Sequence, residues 1–164
     1  MATTKEHKLL VLIVLFNKRL EKCKTYISLS ENLPLLNLPY EIIIYNNSPQ
    51  IPISQSGDEI ENCIYINAER NEKLVGPYNY AWKYAIEKQF DWLMLLDQDT
   101  LLSDDYLKKI GEQIPNAGEN ISAITPKVYS HNYQISPVIL NKYTGAFGLQ
   151  KEWDNSSDKI GKNS

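Results

Sequence analysis

Asp97-Gln98-Asp99 places two carboxylates one residue apart at the end of the most apolar stretch of the chain, Trp92-Leu-Met-Leu-Leu96. Residues alternate faces along a strand, so Asp97 and Asp99 point together if extended geometry persists that far, with Gln98 turned away. Two neighbouring carboxylates repel and lose hydration, costs that a hard, oxygen-seeking cation relieves. Such a cation would in turn hold a phosphorylated substrate. A solvated turn or helix cap is the alternative reading of the same residues. A strand this apolar belongs inside a sheet, and its end then falls at the carboxyl edge, where open α/β folds bind ligands.

Other chemistries lack their residues. Phe16-Asn-Lys-Arg-Leu20 follows the first apolar run without a glycine, so no dinucleotide fingerprint is present, and no phosphate-binding loop ends in Gly-Lys-Ser or Gly-Lys-Thr. Cys23 and Cys63 have no His or Cys neighbour at metal-ligand spacing and are expected to be reduced, buried thiols of a cytosolic domain. With two histidines, His7 and His131, a His-centred nucleophilic triad has little support. An Asp-x-Asp also opens the phosphatase motif of haloacid-dehalogenase-like hydrolases, but there it follows the first core strand as Asp-x-Asp-x-Thr. Here Thr100 directly follows the second Asp, and three expected strands come before it.

The elements that must position the triplet alternate along the chain. Residues 9–16 are continuously apolar, as expected of a strand covered on both faces. Lys5 and Lys8 precede that run, but Asn17-Lys18-Arg19 follows with no small-residue cleavage site, which favours a buried strand over a signal peptide. Leu20, Cys23, Ile27 and Ser30 fall at helical spacing, limited by Pro34. Residues 41–45 form a second strand before the turn Asn46-Asn-Ser-Pro49, residues 51–57 a loop, and residues 63–66 a third strand. Tyr80, Ala81, Tyr84, Ala85 and Lys88 share a helical face, with Asn79 as a candidate helix start. Ser103 can cap a helix with Tyr106, Leu107, Ile110 and Ile114 inside; residues 121–125 and 138–140 are expected as fifth and sixth strands. The alternation predicts an α/β fold with a three-layer, mostly parallel sheet.

The chain of 164 residues is 43% hydrophobic and 23% charged, with net charge -3. That suffices for one ordinary core and gives no non-specific attraction to nucleic acid or anionic membrane. No apolar run approaches the roughly 20 residues that span a bilayer. Residues 1–149 are expected to form the binding domain. Residues 150–164 hold Trp153 and Ile160 among polar residues and read as a polar tail, or as the start of a missing region.

Four features in order resemble the nucleotide-sugar-binding part of the GT-A fold in family 2 glycosyltransferases, especially rhamnosyltransferase-like members. They are Phe16-Asn17 after the first strand, Ile44-Tyr-Asn-Asn-Ser-Pro49 after the second, Asn71 leading into Gly76-Pro-Tyr-Asn-Tyr-Ala81, and Leu95-Leu-Asp-Gln-Asp-Thr100. The resemblance runs from residue 9 to about residue 137. It implies an inverting transferase that moves a sugar, rhamnose by the Asp-Gln-Asp form, from a dTDP- or UDP-sugar to a glycan or lipid-linked acceptor. It also implies Mg²⁺ or Mn²⁺ at Asp99 and Asp97, with Asp97 near the ribose or a metal-bound water. Phe16, Asn17, Asn46 and Asn71 would contact the nucleotide, Asn46 standing where the family usually has Asp. The alternative for Asn46 is support of its own turn. Arg70 could approach the diphosphate or be a solvated loop residue, while Tyr78, Tyr80, Tyr84, Trp82 and Trp92 read as packing and Thr100 as ordering the turn. The acceptor half and its carboxylate general base are expected beyond this chain, so the chain alone is expected to be inactive; none of Glu152, Asp154 and Asp158 is nominated as the base. A non-catalytic nucleotide-sugar-binding or scaffolding module is the alternative. The intact protein would be cytoplasmic, with peripheral contact at the inner face of the membrane as a further expectation.

Overall fold

A computed structural model of the chain describes residues 6–53, 60–118, 120–126, 128–130, 133–136, 138–140 and 147–149. Its contacts divide into two compact units, Met1–Ala117 and Gly118–Ser164.

The first unit is built on four parallel strands: β1 (Leu9–Leu15), β2 (Tyr40–Asn46), β3 (Cys63–Asn67) and β4 (Trp92–Asp97), in the order β3-β2-β1-β4. Leu9 pairs with Tyr40 on one side and Trp92 on the other, which brings Leu15 beside Asn46 and Val14 beside Asp97. The order reverses at β1: the chain proceeds outward to β2 and β3, then returns to the opposite side for β4. Loops leaving the carboxyl ends on either side of such a reversal diverge and leave a crevice between them.

Three helices complete the layers: α1 (Lys24–Asn32), α2 (Val75–Glu87) and α3 (Asp104–Asn116). One face of the sheet contributes Leu10, Leu12, Ile43 and Tyr45 to a cluster with Ala81 and Ala85 of α2. Alanines four residues apart put no bulk between helix and sheet, so the backbones lie close. The alternate residues Leu9, Val11, Ile13, Leu15, Ile42 and Ile44 face the other way and are buried as well. Leu29 of α1 and Leu107, Ile110 and Ile114 of α3 are the buried helical side chains available to that second face. The α/β, largely parallel, layered architecture expected from the alternation is present.

Local features depart from expectation for identifiable reasons. The apolar stretch ending at Asp97 is the edge strand of the four, not an inner one, and Leu95 is 45% exposed. An apolar run reports which faces are covered and says nothing about how many strands lie alongside. The first helix buries Thr25, Ser28, Leu29 and Asn32 and leaves Ile27 exposed, because its inner face makes hydrogen bonds as well as apolar contacts. Leu20–Lys22 is a separate 3-10 turn. α2 starts at Val75, so Asn79 lies inside the helix; Pro77 sits in its first turn, where a missing N–H removes no intrahelical bond. Trp82 is 62% exposed and does not pack into the core, whereas Tyr78 and Tyr84 pack against the α2-side cluster. Of the expected inner face of α3, Leu107, Ile110 and Ile114 are buried and Tyr106 is half-buried; Ser103 stands at the N-cap but its side chain makes no capping bond.

The second unit contains two antiparallel pairs: β5 (Val128–Ser130) with β6 (Tyr133–Ser136), and β7 (Val138–Leu140) with β8 (Phe147–Leu149). Residues 121–125 are irregular. Ile121 N–H turns back to the Gly118 carbonyl and Pro126 has no N–H to donate, so pairing begins only at Val128. The strand expected at residues 138–140 is β7. Residues 150–164, including Trp153 and Ile160, fall outside the described residues. No helix among the described residues is long and apolar enough to cross a membrane.

Candidate active site

The crevice at the strand reversal is an open cleft of about 470 Å³, lined by Val14, Phe16, Asn47, Asn71, Lys73, Leu74, Asp97, Gln98 and Asp99. Three loop systems therefore meet there: the end of β1, the turn after β2 with the loop before α2, and the acidic triplet after β4.

The triplet does not continue the strand. β4 ends at Asp97, and Thr100 N–H closes a turn onto the Asp97 carbonyl. Alternation stops with it, so Gln98 lines the cleft along with both aspartates rather than turning away. Its side chain forms a two-way clamp on β1: Phe16 N–H donates to Gln98 Oε1 at 2.9 Å, and Gln98 Nε2 donates to the Phe16 carbonyl at 3.2 Å. The ends of β1 and β4 are thereby tied across the cleft floor.

Below the triplet, the start of α1 forms a platform. Thr25 Oγ donates to the carbonyls of Asp97 and, at 2.9 Å, Thr100. Thr25 N–H and Cys23 Sγ both address the Gln98 carbonyl, at 3.5 and 3.3 Å. Ser28 Oγ accepts from Leu102 N–H at 3.1 Å. Buried Thr25 and Ser28 are thus explained as side chains that satisfy the acidic turn's backbone. Burial pushes the Cys23 thiol above its ordinary pKa, which suits a neutral S–H donor.

Asp97 and Asp99 both present exposed carboxylates. The Asp99 carboxylate takes an ion pair from Lys18, whose ammonium holds the Asp99 carboxyl below the usual carboxylate range. No group of three or more His, Cys, Asp and Glu side chains suited to a metal occurs among the described residues. The donor set nevertheless fits one kind of ion. Two carboxylates on an open turn, with room for ligand phosphates and water, suit Mg²⁺ or Mn²⁺, which are commonly held by one or two carboxylates and substrate oxygens.

The asparagines divide by one position. Asn46 is 1% exposed and does not line the cleft. Its Nδ2 donates to the carbonyls of Ser48 and Ile51 and to Asn67 Oδ1, and its Oδ1 accepts from Ser48 N–H. The structure gives this side chain to its own turn. Asn47 lines the cleft instead and braces the facing loop: its Oδ1 accepts from Glu72 N–H at 2.7 Å and its Nδ2 donates to the Lys73 carbonyl at 2.6 Å. Asn71 lies in the lining and accepts from Lys73 N–H at 2.8 Å. Between these braces Lys73 holds a left-handed φ of 58°, an uncommon conformation for a long side chain. Asn17 adopts φ 51° just after β1, donates its N–H to Ser48 Oγ and accepts from Gln50, outside the lining set. Phe16 is in the cleft wall and exposed; Arg70 is exposed and not in the lining.

The sequence therefore placed Phe16, Asn71, Asp97 and Asp99 at a common cleft, while Gln98, Asn47, Lys73, Lys18 and Thr25 emerge only from tertiary structure. The one sequence signal for Thr25 and Ser28 was their polarity at positions spaced for a helix face.

Among curated proteins, none matches the chain. The family model for glycosyl transferase family 2 matches residues 11–164, from within β1 through the rest of the sequence. With an α/β parallel sheet and an acidic turn at its reversal point, the chain belongs to glycosyl transferase family 2, enzymes that pass a sugar from an activated donor to an acceptor.

Proposed function

We propose that the cleft binds the nucleoside diphosphate of a UDP- or dTDP-sugar and that Asp97 and Asp99 hold a divalent ion, Mg²⁺ or Mn²⁺, against it. The observation that carries this is the meeting of both aspartates with Phe16, Asn47 and Asn71 in one cleft at the strand reversal. Residues 1–149 are read as the donor-binding domain, the first compact unit carrying the cleft, and residues 150–164 as a polar tail or part of the acceptor side. The reaction is inverting transfer to a glycan or lipid-linked acceptor, with rhamnose as the donor sugar suggested by the Asp-Gln-Asp form of the triplet.

A bound divalent ion supplies Lewis-acid neutralisation of the charge that collects on the departing diphosphate. The chain's own residues do the rest of the binding. Asp99 is the primary carboxylate; Asp97 meets the ribose or a water. Phe16 gives the base an apolar wall and Asn71 supplies polar contacts to the nucleotide, while Asn47, buried and bonded to Glu72 and Lys73, holds the facing loop in place. Gln98 and Thr25 fix the acidic turn so that binding does not have to order it, which lowers the entropic cost of association. No general base is assigned among the described residues.

Calorimetric titration of UDP and dTDP with Mn²⁺ and then with chelator tests the reading. Binding should require the metal, and Asp99→Asn should weaken it more than tenfold. Equal affinity with and without metal in the wild type would refute the metal assignment.

A further inference from the structure

Lys18 is not part of the cleft lining, yet its ammonium bonds Asp99 Oδ1. The lysine is the more enclosed member of the pair: its side chain is 24% exposed, against 62% for Asp99. The stem is therefore packed against the fold while the charged head reaches the exposed carboxylate.

Its placement is built into the backbone. The left-handed turn at Asn17 is held by Ser48 Oγ on the Asn17 N–H and by Gln50 on its carboxamide. Lys18 follows directly and is aimed at the triplet. The Phe16–Gln98 clamp joins the segment carrying Lys18 to the turn carrying Asp99, so the two charges ride on one tied platform. Side-chain rotation of either partner suffices to separate the pair without moving the clamp.

A carboxylate oxygen occupied by an ammonium is not available to a divalent ion, and two cations at that distance repel. We propose that Lys18 is an exchangeable counter-cation of Asp99. Without a divalent ion it neutralises the carboxylate; when a divalent ion takes Asp99, the ammonium transfers to the diphosphate oxygens of the incoming donor. The inference rests on the reading of the cleft as a nucleoside diphosphate site. An ammonium displaced from its carboxylate gains most from another anion within its reach, and oxygens that coordinate an ion at Asp99 are necessarily that carboxylate's neighbours. The consequence is coupling: Lys18 opposes the metal when it comes alone and favours metal and diphosphate together.

Lys18→Met keeps the apolar stem and removes the charge. Mn²⁺ binding without nucleotide, followed by electron paramagnetic resonance, should tighten by about two- to fivefold, the competition expected of a partly exposed ion pair. With saturating Mn²⁺, UDP affinity should fall by about tenfold while uridine affinity stays unchanged, because a charged hydrogen bond to phosphate is lost. Lys18→Arg should restore UDP binding. An Asp99-dependent Mn²⁺ site that is unaffected or weakened in Lys18→Met overturns the exchange and leaves the donor reading standing, as does an unchanged UDP affinity. Mn²⁺ binding that is equal in wild type and Asp99→Asn would instead overturn the donor-site metal assignment, and the exchange with it.

Discussion

Replacing Thr25 by valine removes one hydroxyl and nothing else of its shape. In the wild type that hydroxyl, fully buried, is shared between the carbonyls of Asp97 and Thr100. The Asp97 carbonyl keeps the N–H of Thr100, and the Gln98 carbonyl keeps Cys23 Sγ and Thr25 N–H. The change therefore orphans chiefly the Thr100 carbonyl. Stranding one buried acceptor costs about 1–3 kcal/mol, and the hydroxyl has a single proton, so the two contacts do not add. A chain of this size loses roughly 3 °C of Tm per kcal/mol, which predicts a fall of about 3–9 °C in a thermal melt. Well below that melt, metal-dependent UDP binding should weaken by up to about tenfold, since groups that orient metal ligands typically matter at that scale. Thr25→Ser keeps the hydroxyl and should stay within about 1 kcal/mol of wild type. If valine melts with the wild type and binds UDP equally well, the platform beneath the acidic turn has no energetic role and the account of α1 fails.

Gln98→Glu retains an acceptor for Phe16 N–H but turns a carboxylate toward the Phe16 carbonyl, so it should weaken UDP binding more than Gln98→Ala in the same calorimetric assay. Asn46→Asp, although it installs the acid usual in the family, removes the donor that serves Ser48, Ile51 and Asn67; urea unfolding should show a loss of about 2–4 kcal/mol. Burial, then the bond to Glu72, push Tyr45 up to about 12, and burial with Glu41 does the same for Tyr84. Both are raised above the ordinary value of 10.0, so their stabilisation is complete below pH 10 and is lost as pH rises toward 12. Tyr65 and Tyr106 are also raised by burial, so ultraviolet titration should show these four tyrosines ionising late in the folded chain, and Tyr45→Phe should remove one of them. Gly76→Ala would drive a methyl into the Glu72 side chain, which is already bonded to the Tyr45 hydroxyl at 2.6 Å, and should cost about 1–3 kcal/mol in the unfolding assay.

What the sequence revealed depended on whether the determining interaction was local. The uninterrupted apolar residues of β1 announced a strand covered on both faces, and the spacing of Leu107, Ile110 and Ile114 announced the inner face of α3. Polar residues buried by long-range hydrogen bonds gave no such signal. Thr25, Ser28 and Asn32 carry α1's inner face because distant or local carbonyls and N–H groups receive them, and hydropathy assigns them to solvent. Strand alternation located Asp97 but misdirected Gln98, because a turn closes one residue earlier than the extrapolation assumed. The distinction between Asn46 and Asn47 lies in a single step of backbone direction at the end of β2, and no property of the two identical side chains encodes it. Lys18 was invisible for a simpler reason: its partner is 81 residues away.

The Phe16–Gln98 clamp spans 82 residues, and Lys8 N–H to Asp91 spans 83 at the other end of the same strand pair. β4 joins β1 across that whole sequence separation, a non-local closure that is slow to form. A chain with β1, β2 and β3 assembled but β4 still free would possess Phe16 and Asn47 and have no acidic turn beside them. On the proposed reading of the cleft, donor nucleotide would then recognise only chains in which β4 has docked, and by mass action would hold it there. Nucleotide and metal together should thus protect the 88–92 connection from proteolysis at concentrations that leave the cleavage of an unfolded chain unchanged, making substrate supply itself a determinant of how long the strand stays in place.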